Sequence, residues 1–128
     1  MKLARRTLAL KAFLEARPGA TASPMTSSTG KTPLVLIFKV AGKTFAILSV
    51  RTEEFVILKC DSHLADGLRG RYSGVGHRSH LDRRHWISVA LNSDVPAAEI
   101  RRLASLSYDL VCAGLTKKQQ AQIAALAR

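Results

Sequence analysis

The stretch from Leu34 to Cys60, LVLIFKVAGKTFAILSVRTEEFVILKC, decides the fold of this chain. It contains three short runs rich in valine, isoleucine and phenylalanine, which are residue types that strands favour. These runs are Leu34 to Val40, Thr44 to Val50 and Phe55 to Cys60. Ala41-Gly42 suits a tight hairpin between the first two runs, and residues 51–54 suit a slightly longer connection. The stretch therefore predicts a three-stranded antiparallel meander.

Helical patterns and one further strand flank the meander. Before the meander, we predict a helix from Lys2 to about Arg17 and a loop or weak edge strand over Thr21–Thr32. After it, we predict a short helix that is capped by Asp61-Ser62, carries Leu64 and Leu68 and closes near Gly70, and then a strand from His85 to Leu91. Two helices complete the chain: one that Pro96 opens and Gly114 ends, and a last one with a capping box of Thr116 and Gln119. The long helix carries a predicted buried stripe of Ile100, Leu103, Ser107, Leu110 and Val111.

The order of these elements predicts the fold class. We expect one α+β domain over residues 1–128, with an antiparallel sheet and helices packed on one of its faces. Lys39 and Lys59 interrupt otherwise apolar strands, which indicates that the other face of the sheet is open to water.

The chain is strongly basic. Its 128 residues include 20 Lys and Arg against 9 Asp and Glu, which gives a formal net charge of +11. Such a balance favours polyanionic partners, either nucleic acid or an anionic membrane surface, and it argues against cationic ligands and against a metal site lined by carboxylates. No apolar run approaches the ~20 residues that a membrane-spanning helix needs. We therefore expect nucleic acid as the partner, and no membrane.

Cysteine usage indicates the compartment. Cys60 and Cys112 lie far apart and form no C-x-x-C pair. Two such thiols, in a domain long enough to build its own core, are typical of a reduced cytosolic protein. Both lie in apolar runs, so we expect small core residues. The N-terminal KLARRTLAL faintly resembles a secretion signal, but Lys11 and Glu15 interrupt its apolar stretch. We expect a cytoplasmic protein.

The segment Arg69–Trp86, RGRYSGVGHRSHLDRRHW, is the main candidate for function, and we call it the basic segment. Guanidinium groups suit phosphates and aromatic faces suit bases. The candidate contacts to nucleic acid in this segment are Arg69, Arg71, Arg78, Arg83, Arg84, His85 and Trp86. The alternative is a solvated loop on a basic protein.

Trp86 has two alternative roles. In its predicted strand, Ile87, Val89 and Leu91 share one face, while Trp86 lies on the other. If the aliphatic set faces the helices, Trp86 stands on the open face of the sheet. Otherwise it packs under a loop.

Lys117 and Lys118 occupy the first turn of the last predicted helix, where the helix dipole disfavours positive charge. This placement is expected if a phosphate binds at that helix end, so both lysines join the candidate contacts.

Two patterns resemble cofactor or metal sites. STGKT at residues 28–32 resembles the end of a P-loop, but Met25 stands where the motif needs a glycine, and a β-branched run follows instead of a helix. His77, His80 and His85 are possible zinc ligands, but the odd spacing of the first two directs them to opposite faces of an extended segment. We expect no cofactor and no metal site.

A nucleophilic site is a further alternative. Ser107, Tyr108 and His85 are the residues that such chemistry would use. Ser107 lies on the predicted buried stripe and Tyr108 lies beside it, which favours structural roles. We expect no catalytic residue and no enzymatic activity.

Five motifs resemble the MmcQ/YjbR family. They are FKVAGKTFAIL at residues 38–48, VILKC at 56–60, RRHWISVAL at 83–91, SYDLV at 107–111 and LTKK at 115–118. The HW-x-x-V strand followed by the SY helix is the most specific part, and the resemblance extends from about Arg17 to Leu126.

The resemblance implies a frataxin-like (CyaY-like) α+β layer and a proposed double-wing mode of DNA binding, in small cytosolic bacterial proteins without established enzymatic activity. The family's positions fall on Lys43, Lys59, Arg83, His85, Trp86, Ser107 and Tyr108 of this chain. This chain departs from the family in a longer first loop, Ser27–Thr32, and in Gly76-His77, where a proline-containing turn is more typical. A frataxin-like fold also raises iron binding, but the carboxylates that iron would need are scattered here.

Charge, basic segment and resemblance together predict a non-enzymatic, sequence-tolerant DNA-binding protein that uses a basic loop and an open sheet face. The alternative is an interaction module that binds an acidic protein through the same cations. A steep linear dependence of log affinity for duplex DNA on log salt would favour DNA.

Overall fold

An antiparallel sheet of six strands forms the framework of the protein, within residues 5–25, 35–50, 53–78 and 81–126, which the computed structural model describes. The strands are β1 (Ala20–Met25), β2 (Val35–Val40), β3 (Lys43–Val50), β4 (Glu54–Lys59), β5 (Val75–Gly76) and β6 (Trp86–Ala90), and the helices are α1 (Arg5–Glu15), α2 (Ser62–Arg71), α3 (Ala97–Ala113) and α4 (Lys117–Leu126). The strand order across the sheet is β1-β2-β3-β4-β6-β5. The predicted meander and the α+β class are confirmed.

The hairpin between β2 and β3 turns at Ala41 and Gly42, as predicted. Both residues have positive φ, 49° and 80°. Positive φ at both central residues is what a two-residue turn of type I′ requires, and the twist of this turn matches that of the strands it joins.

A bulge follows this hairpin in β3. Phe38 pairs with Ala46, whereas Lys39 pairs with Thr44, so Phe45 is an additional residue on one side of the ladder. The bulge interrupts the alternation of side chains, and Phe45 and Ala46 are both fully buried although they are neighbours.

The core lies between the sheet and helices α1 and α3. Phe45 of β3 contacts Tyr108 of α3 edge to face, with 5.3 Å between the ring centroids. Fully buried residues from both layers include Leu14 of α1, Leu103 of α3, Leu58 of β4 and Ile87 of β6. The helices therefore cover the face of the sheet that carries Leu58 and Ile87, which are register partners.

The buried stripe of α3 contains four of the five predicted residues. Ile100, Leu103, Ser107 and Val111 are buried, but Leu110 is 39% exposed. Ala104 and Tyr108 are buried as well, so the buried arc extends to their side of the helix. Leu110 lies just past the other margin of this arc, because it falls about 20° beyond Leu103 at 3.6 residues per turn.

Short strands form both edges of the sheet. At one edge is β1, which the sequence left open as a loop or a weak edge strand. Pro24 is tolerated there because an edge strand can lack an N–H donor. Residues 26–34, which contain the STGKT motif, lie outside the described residues. The strand at the other edge, β5, was not predicted. A strand of only two residues has no periodic pattern in the sequence. The residues that lead into β5 are held by Asp94, whose carboxylate accepts hydrogen bonds from the backbone N–H groups of Ser73 and Gly74 at 2.8 Å each.

Helix ends follow their predicted caps. The side chain of Asp61 accepts hydrogen bonds from the N–H groups of His63 and Leu64 at the start of α2. Thr116 and Gln119 form a reciprocal capping box at the start of α4, with both hydrogen bonds at 3.1 Å. These local signals placed the helix ends because they act within a few residues.

Candidate functional site

A turn centred on Asp82 gives the C-terminal part of the basic segment its shape. Asp82 accepts hydrogen bonds from the N–H of Arg84 at 3.0 Å and from the ring Nδ1 of His85 at 2.8 Å. The hydrogen bond from His85, followed by that from the Arg84 N–H, holds the pKa of Asp82 below its usual value. The single acid of the segment therefore organises its backbone. Ser79 and His80 lie outside the described residues.

Arg69 anchors this turn to α2. Its guanidinium donates hydrogen bonds to the backbone oxygens of Arg83 and of Trp86, the latter at 3.0 Å, and lies 3.5 Å from the carboxylate of Asp66. The side chain is only 13% exposed. The sequence predicted a phosphate contact for Arg69, but the structure places its guanidinium in contacts within the protein, where it positions the turn.

Arg78 is also engaged within the protein. It forms an ion pair with Glu53 at 2.6 Å, and its guanidinium lies over the ring of Phe55, 4.8 Å from the centroid. Phe55 belongs to β4 and pairs with Ala90 of β6. Arg78 therefore reaches across β6 from the loop after β5, and this contact holds the loop against the sheet.

The remaining arginines of the basic segment point to solvent. The Arg84 side chain is 81% exposed, with Asp82 at 3.9 Å, and Arg83 makes no side-chain ion pair or hydrogen bond within the described part of the chain. Arg71 is exposed at the end of α2 and lies 5.2 Å from the Tyr72 ring centroid. Among the predicted arginines, Arg71, Arg83 and Arg84 are thus available to a partner.

Three of the predicted contacts meet in one pocket, which we call the Trp86 pocket. It has a volume of about 360 Å³ and is lined by Lys43, Thr44, Lys59, Trp86, Leu110, Val111 and Gly114. Lys59 and Trp86 are register partners in β4 and β6, whereas Lys43 begins β3 and the last three residues belong to the end of α3. The pairing of the strands therefore brings together residues that are far apart in sequence.

Trp86 itself is half-buried. Side-chain alternation places it on the opposite face of β6 from Ile87 and Val89, which belong to the core. Part of its indole ring is thus fixed by the protein, while part remains accessible. The turn that holds Arg83, Arg84 and His85 precedes it directly, so exposed cations and an aromatic surface lie side by side.

The lysines of α4 are both exposed. They lie between Thr116 and Gln119, the two residues of the capping box, which already satisfies the N–H of Gln119. Lys117 and Lys118 are thus available to a partner, but through their ammonium groups more than through the helix end.

Ser107 and Tyr108 are bonded to the backbone. The Ser107 hydroxyl donates to the carbonyl of Phe45 at 2.6 Å and accepts from the N–H of Lys59 at 2.8 Å, so it ties α3 to β3 and β4. The Tyr108 hydroxyl donates to the carbonyl of Pro18. Burial raises the pKa of Tyr108 above its usual value.

The cysteines are both free thiols. Burial, and next the carboxylate of Asp61, raise the pKa of Cys60 to about 11. Cys60 belongs to the core and Cys112 is packed against it, as predicted for small core residues. A thiol with a raised pKa is a poor nucleophile, because the thiolate is the reactive form.

The histidines of the basic segment have protein partners where they are described. The Nε2 of His77 lies 2.6 Å from the carbonyl oxygen of Leu81, and His85 is bonded to Asp82. In the described ranges, no group of three His, Cys, Asp or Glu residues is placed to hold a metal ion. Each helix within those ranges is too short or too polar to cross a bilayer.

The sequence did not predict the structural roles of Arg69 and Ser107. Arg69 had a local signal, because Asp66 precedes it by one helical turn, but its bonds to the turn at 83–86 depend on tertiary structure. Ser107 links α3 to two strands. The only indication of this role in the sequence was that a polar residue lies on a predicted buried stripe.

Comparison with known proteins identifies the family. The YjbR family model matches residues 15–110. YbdF, an uncharacterized protein of Escherichia coli O157:H7, is 32% identical over 88 residues, which are 68% of this chain and 72% of YbdF. YjbR of Escherichia coli strain K12, also uncharacterized, is 35% identical over 71 residues, which are 55% of this chain and 60% of that protein.

Solved structures show the same fold. The Deinococcus radiodurans protein DR2400, with a DUF419 domain, superposes with a TM-score of 0.78 at 24% identity, over 90% of this chain and 85% of its own. A protein from Pseudomonas syringae superposes with a TM-score of 0.67 at 21% identity, over 84% of this chain and 98% of its own. The family model ends at Leu110, whereas we expected the resemblance to reach Leu126, so α4 lies beyond the match. On the strength of the family model and of the YbdF match, the chain belongs to the YjbR family.

Proposed function

We propose that this protein is a non-enzymatic, sequence-tolerant DNA-binding protein, in which DNA contacts the turn at residues 83–86 and the Trp86 pocket. One observation carries the proposal. Lys43 and Lys59 line the same pocket as Trp86, and the exposed Arg83 and Arg84 lie in the turn directly before it. Two cations thus line the pocket of a partly accessible aromatic residue, and two more exposed cations lie two and three residues before it in the chain.

The charges of this surface suit a phosphate backbone. Arg83 is exposed without a side-chain partner among the described residues, and Arg84 has only a distant carboxylate at 3.9 Å. Binding a phosphate therefore breaks no strong ion pair. The net charge of +11 adds a long-range attraction for polyanions.

The accessible part of Trp86 supplies a stacking surface. Stacking is tolerant of sequence because every base has an aromatic face. Phosphate contacts are independent of sequence as well. A site built from lysines, arginines and one indole ring therefore favours affinity without strong sequence preference.

The bonding of Ser107, Tyr108 and Cys60 supports a role without catalysis. The two hydroxyls bind backbone groups, and the thiol has a raised pKa. These groups serve the fold, and we assign the site to binding alone.

An acidic protein is the second candidate, and one observation favours it. Ile37, Ile47 and Ile57 are register partners in β2, β3 and β4. Alternation places Ile57 on the face opposite the core residues Val56 and Leu58. Ile57 is buried, but Ile37 and Ile47 are half-buried, and their accessible parts near basic residues suit a protein interface better than a phosphate backbone.

The salt dependence of binding distinguishes these candidates. We expect the logarithm of the affinity for a duplex oligonucleotide to fall linearly and steeply with the logarithm of salt concentration, because bound phosphates release counterions. Fluorescence anisotropy measures this for duplex DNA, single-stranded DNA and a polyglutamate peptide of equal charge. Tighter binding of the peptide than of either DNA would assign the surface to an acidic protein.

Changing Trp86 to Ala tests the stacking surface. We expect weaker binding of single strands, by about 1–3 kcal/mol for one stacked base, with an unchanged salt slope. Trp86→Phe, which keeps an aromatic face, should retain most of the affinity. If Trp86→Ala leaves single-strand binding intact and only lowers the free energy of unfolding, Trp86 is a packing residue.

A further inference from the structure

A second cavity lies on the helical side of the protein, between α1 and the start of α3. Its volume is about 230 Å³, and its lining residues are Arg5, Arg6, Ala9, Leu10, Leu91, Ala97, Ile100 and Arg101. None of these residues lines the Trp86 pocket. We call this cavity the interhelical pocket.

The walls of the interhelical pocket are aliphatic. Leu10, Leu91 and Ile100 are nearly fully buried and belong to the core. Ala9 and Ala97 contribute only methyl groups. A ligand here would place an apolar body against the core, and burial of that body would supply most of its affinity.

The polar lining is exclusively cationic. Arg5 and Arg101 are exposed, and neither side chain forms an ion pair or hydrogen bond with another described residue. Arg6 donates to the carbonyl of Val95 at 2.6 Å, which fixes its guanidinium, yet its buried Nε lacks an acceptor within the described part of the protein. Because this Nε is buried away from solvent, the cations that a ligand in the pocket can reach are those of the exposed Arg5 and Arg101.

Arg78 and Arg102 differ from the exposed arginines of the pocket because each has a carboxylate partner. Arg78 pairs with Glu53, and Arg102 pairs with Glu99 on the same helix as Arg101. The interhelical pocket has no lining carboxylate. The guanidinium groups of Arg5 and Arg101 beside this apolar cavity therefore remain uncompensated by the described part of the protein.

We propose that the interhelical pocket binds a small amphipathic monoanion, with a carboxylate on a short acyl chain or a single ring. The apolar body contacts Leu10, Leu91 and Ile100, and the carboxylate accepts hydrogen bonds from Arg5 and Arg101. A nucleotide does not suit the site, since the cavity is smaller than the ~300–1,000 Å³ of typical ligand pockets and its walls offer no partners for a base or a sugar.

Sodium octanoate is a suitable probe, and ¹H–¹⁵N NMR spectra of the full chain report where it binds. We expect saturable shifts of the amides of Ala9, Leu10, Leu91 and Ile100. Octan-1-ol has the same chain without the charge and should bind about tenfold more weakly, because hydrogen bonds to a charged group are stronger than those to a neutral one. Equal affinities for octanoate and octanol, or octanoate shifts confined to other residues, would overturn the proposal.

Two variants separate recognition from folding. Arg5→Gln with Arg101→Gln changes exposed side chains, so the fold should persist while octanoate affinity falls about tenfold. Ala9→Leu adds volume at an exposed position of α1 that lines the cavity, and it should also reduce octanoate binding. Arg83→Gln with Arg84→Gln removes the same charge elsewhere and should leave octanoate binding unchanged. If Arg5→Gln with Arg101→Gln and Ala9→Leu both bind octanoate like the parent, the pocket is not its site.

Discussion

Residues of the same type have different roles in this protein, depending on where the fold places them. Arg69 and Arg83 are both arginines of the basic segment, yet the first holds the turn through backbone carbonyls and the second faces solvent. Sequence composition treats them alike because it carries no information about tertiary hydrogen bonds. The candidate site therefore has fewer residues than the sequence predicted, because it includes only those that remain accessible to a partner.

Ser107 has a specific structural role, because its hydroxyl group joins α3 to two strands. Ser107→Ala removes one hydrogen bond to Phe45 and one from Lys59, and it leaves both backbone groups without that partner. We expect a loss of about 1–3 kcal/mol in the free energy of unfolding. Urea denaturation measures it, with Ser105→Ala on the same helix as the control. Equal stability of the two variants would show that the bridge contributes nothing.

Asp94 makes stability depend on pH. The N–H groups of Ser73 and then Gly74 hydrogen-bond its carboxylate and lower its pKa. A carboxyl group with a lowered folded pKa contributes stability above its unfolded pKa of about 3.9, and this contribution is lost as pH falls through the folded pKa. We expect Asp94→Asn to lower the Tm at pH 7, with a difference from the parent that shrinks below about pH 4.

Thermal melts from about pH 2.5 to pH 7, in steps of about half a pH unit, measure the Tm of Asp94→Asn and of the parent. Asp109→Asn, at an exposed position of α3, is the control and should follow the parent at every pH. A constant Tm difference between Asp94→Asn and the parent down to acid pH would show that the charge of Asp94 does not matter.

At the scale of elements, local signals predicted most of the fold. The meander, the caps at Asp61 and Thr116 and the long helix α3 all follow from patterns within a few residues. The bulge at Phe45 and the strand β5 were missed, because a bulge is set by the partner strand and β5 is held by the distant Asp94. The Trp86 pocket depends on strand register, which the sequence did not fix between β4 and β6.

The helix α4 offers an independent test of the proposed surface. Lys117 and Lys118 lie in its first turn, where acidic residues are favoured by the helix dipole. Replacing both with Glu should raise stability by about 0.3–1 kcal/mol per residue at low salt. DNA affinity should fall in the same variant.

Gln122 provides a control for the position of an added negative charge, because it lies later in α4 and is exposed. Gln122→Glu adds a negative charge away from the first turn and should change both quantities less. Unchanged DNA affinity in the Lys117→Glu, Lys118→Glu variant would remove α4 from the proposed surface.

At the scale of the whole molecule, charge and architecture act together. The net charge of +11 favours polyanions in general, but it does not place them. The fold joins the start of β3, the end of β4, the start of β6 and the end of α3 around Trp86, and this is where we propose that a polyanion binds. The isoleucines in register on the sheet keep an acidic protein as the competing partner.

The most direct measurement is the salt dependence of duplex DNA affinity for three proteins: the parent, Arg83→Ala with Arg84→Ala, and Arg5→Ala with Arg101→Ala. Both double variants lose the same charge from exposed positions. We expect Arg83→Ala with Arg84→Ala to weaken binding to all sequences alike and to flatten the salt slope by up to about two, one for each lost phosphate contact. The Arg5 and Arg101 variant should stay close to the parent. If the Arg83 and Arg84 variant instead keeps the affinity and salt slope of the parent, the basic segment is a solvated loop and DNA is not its partner.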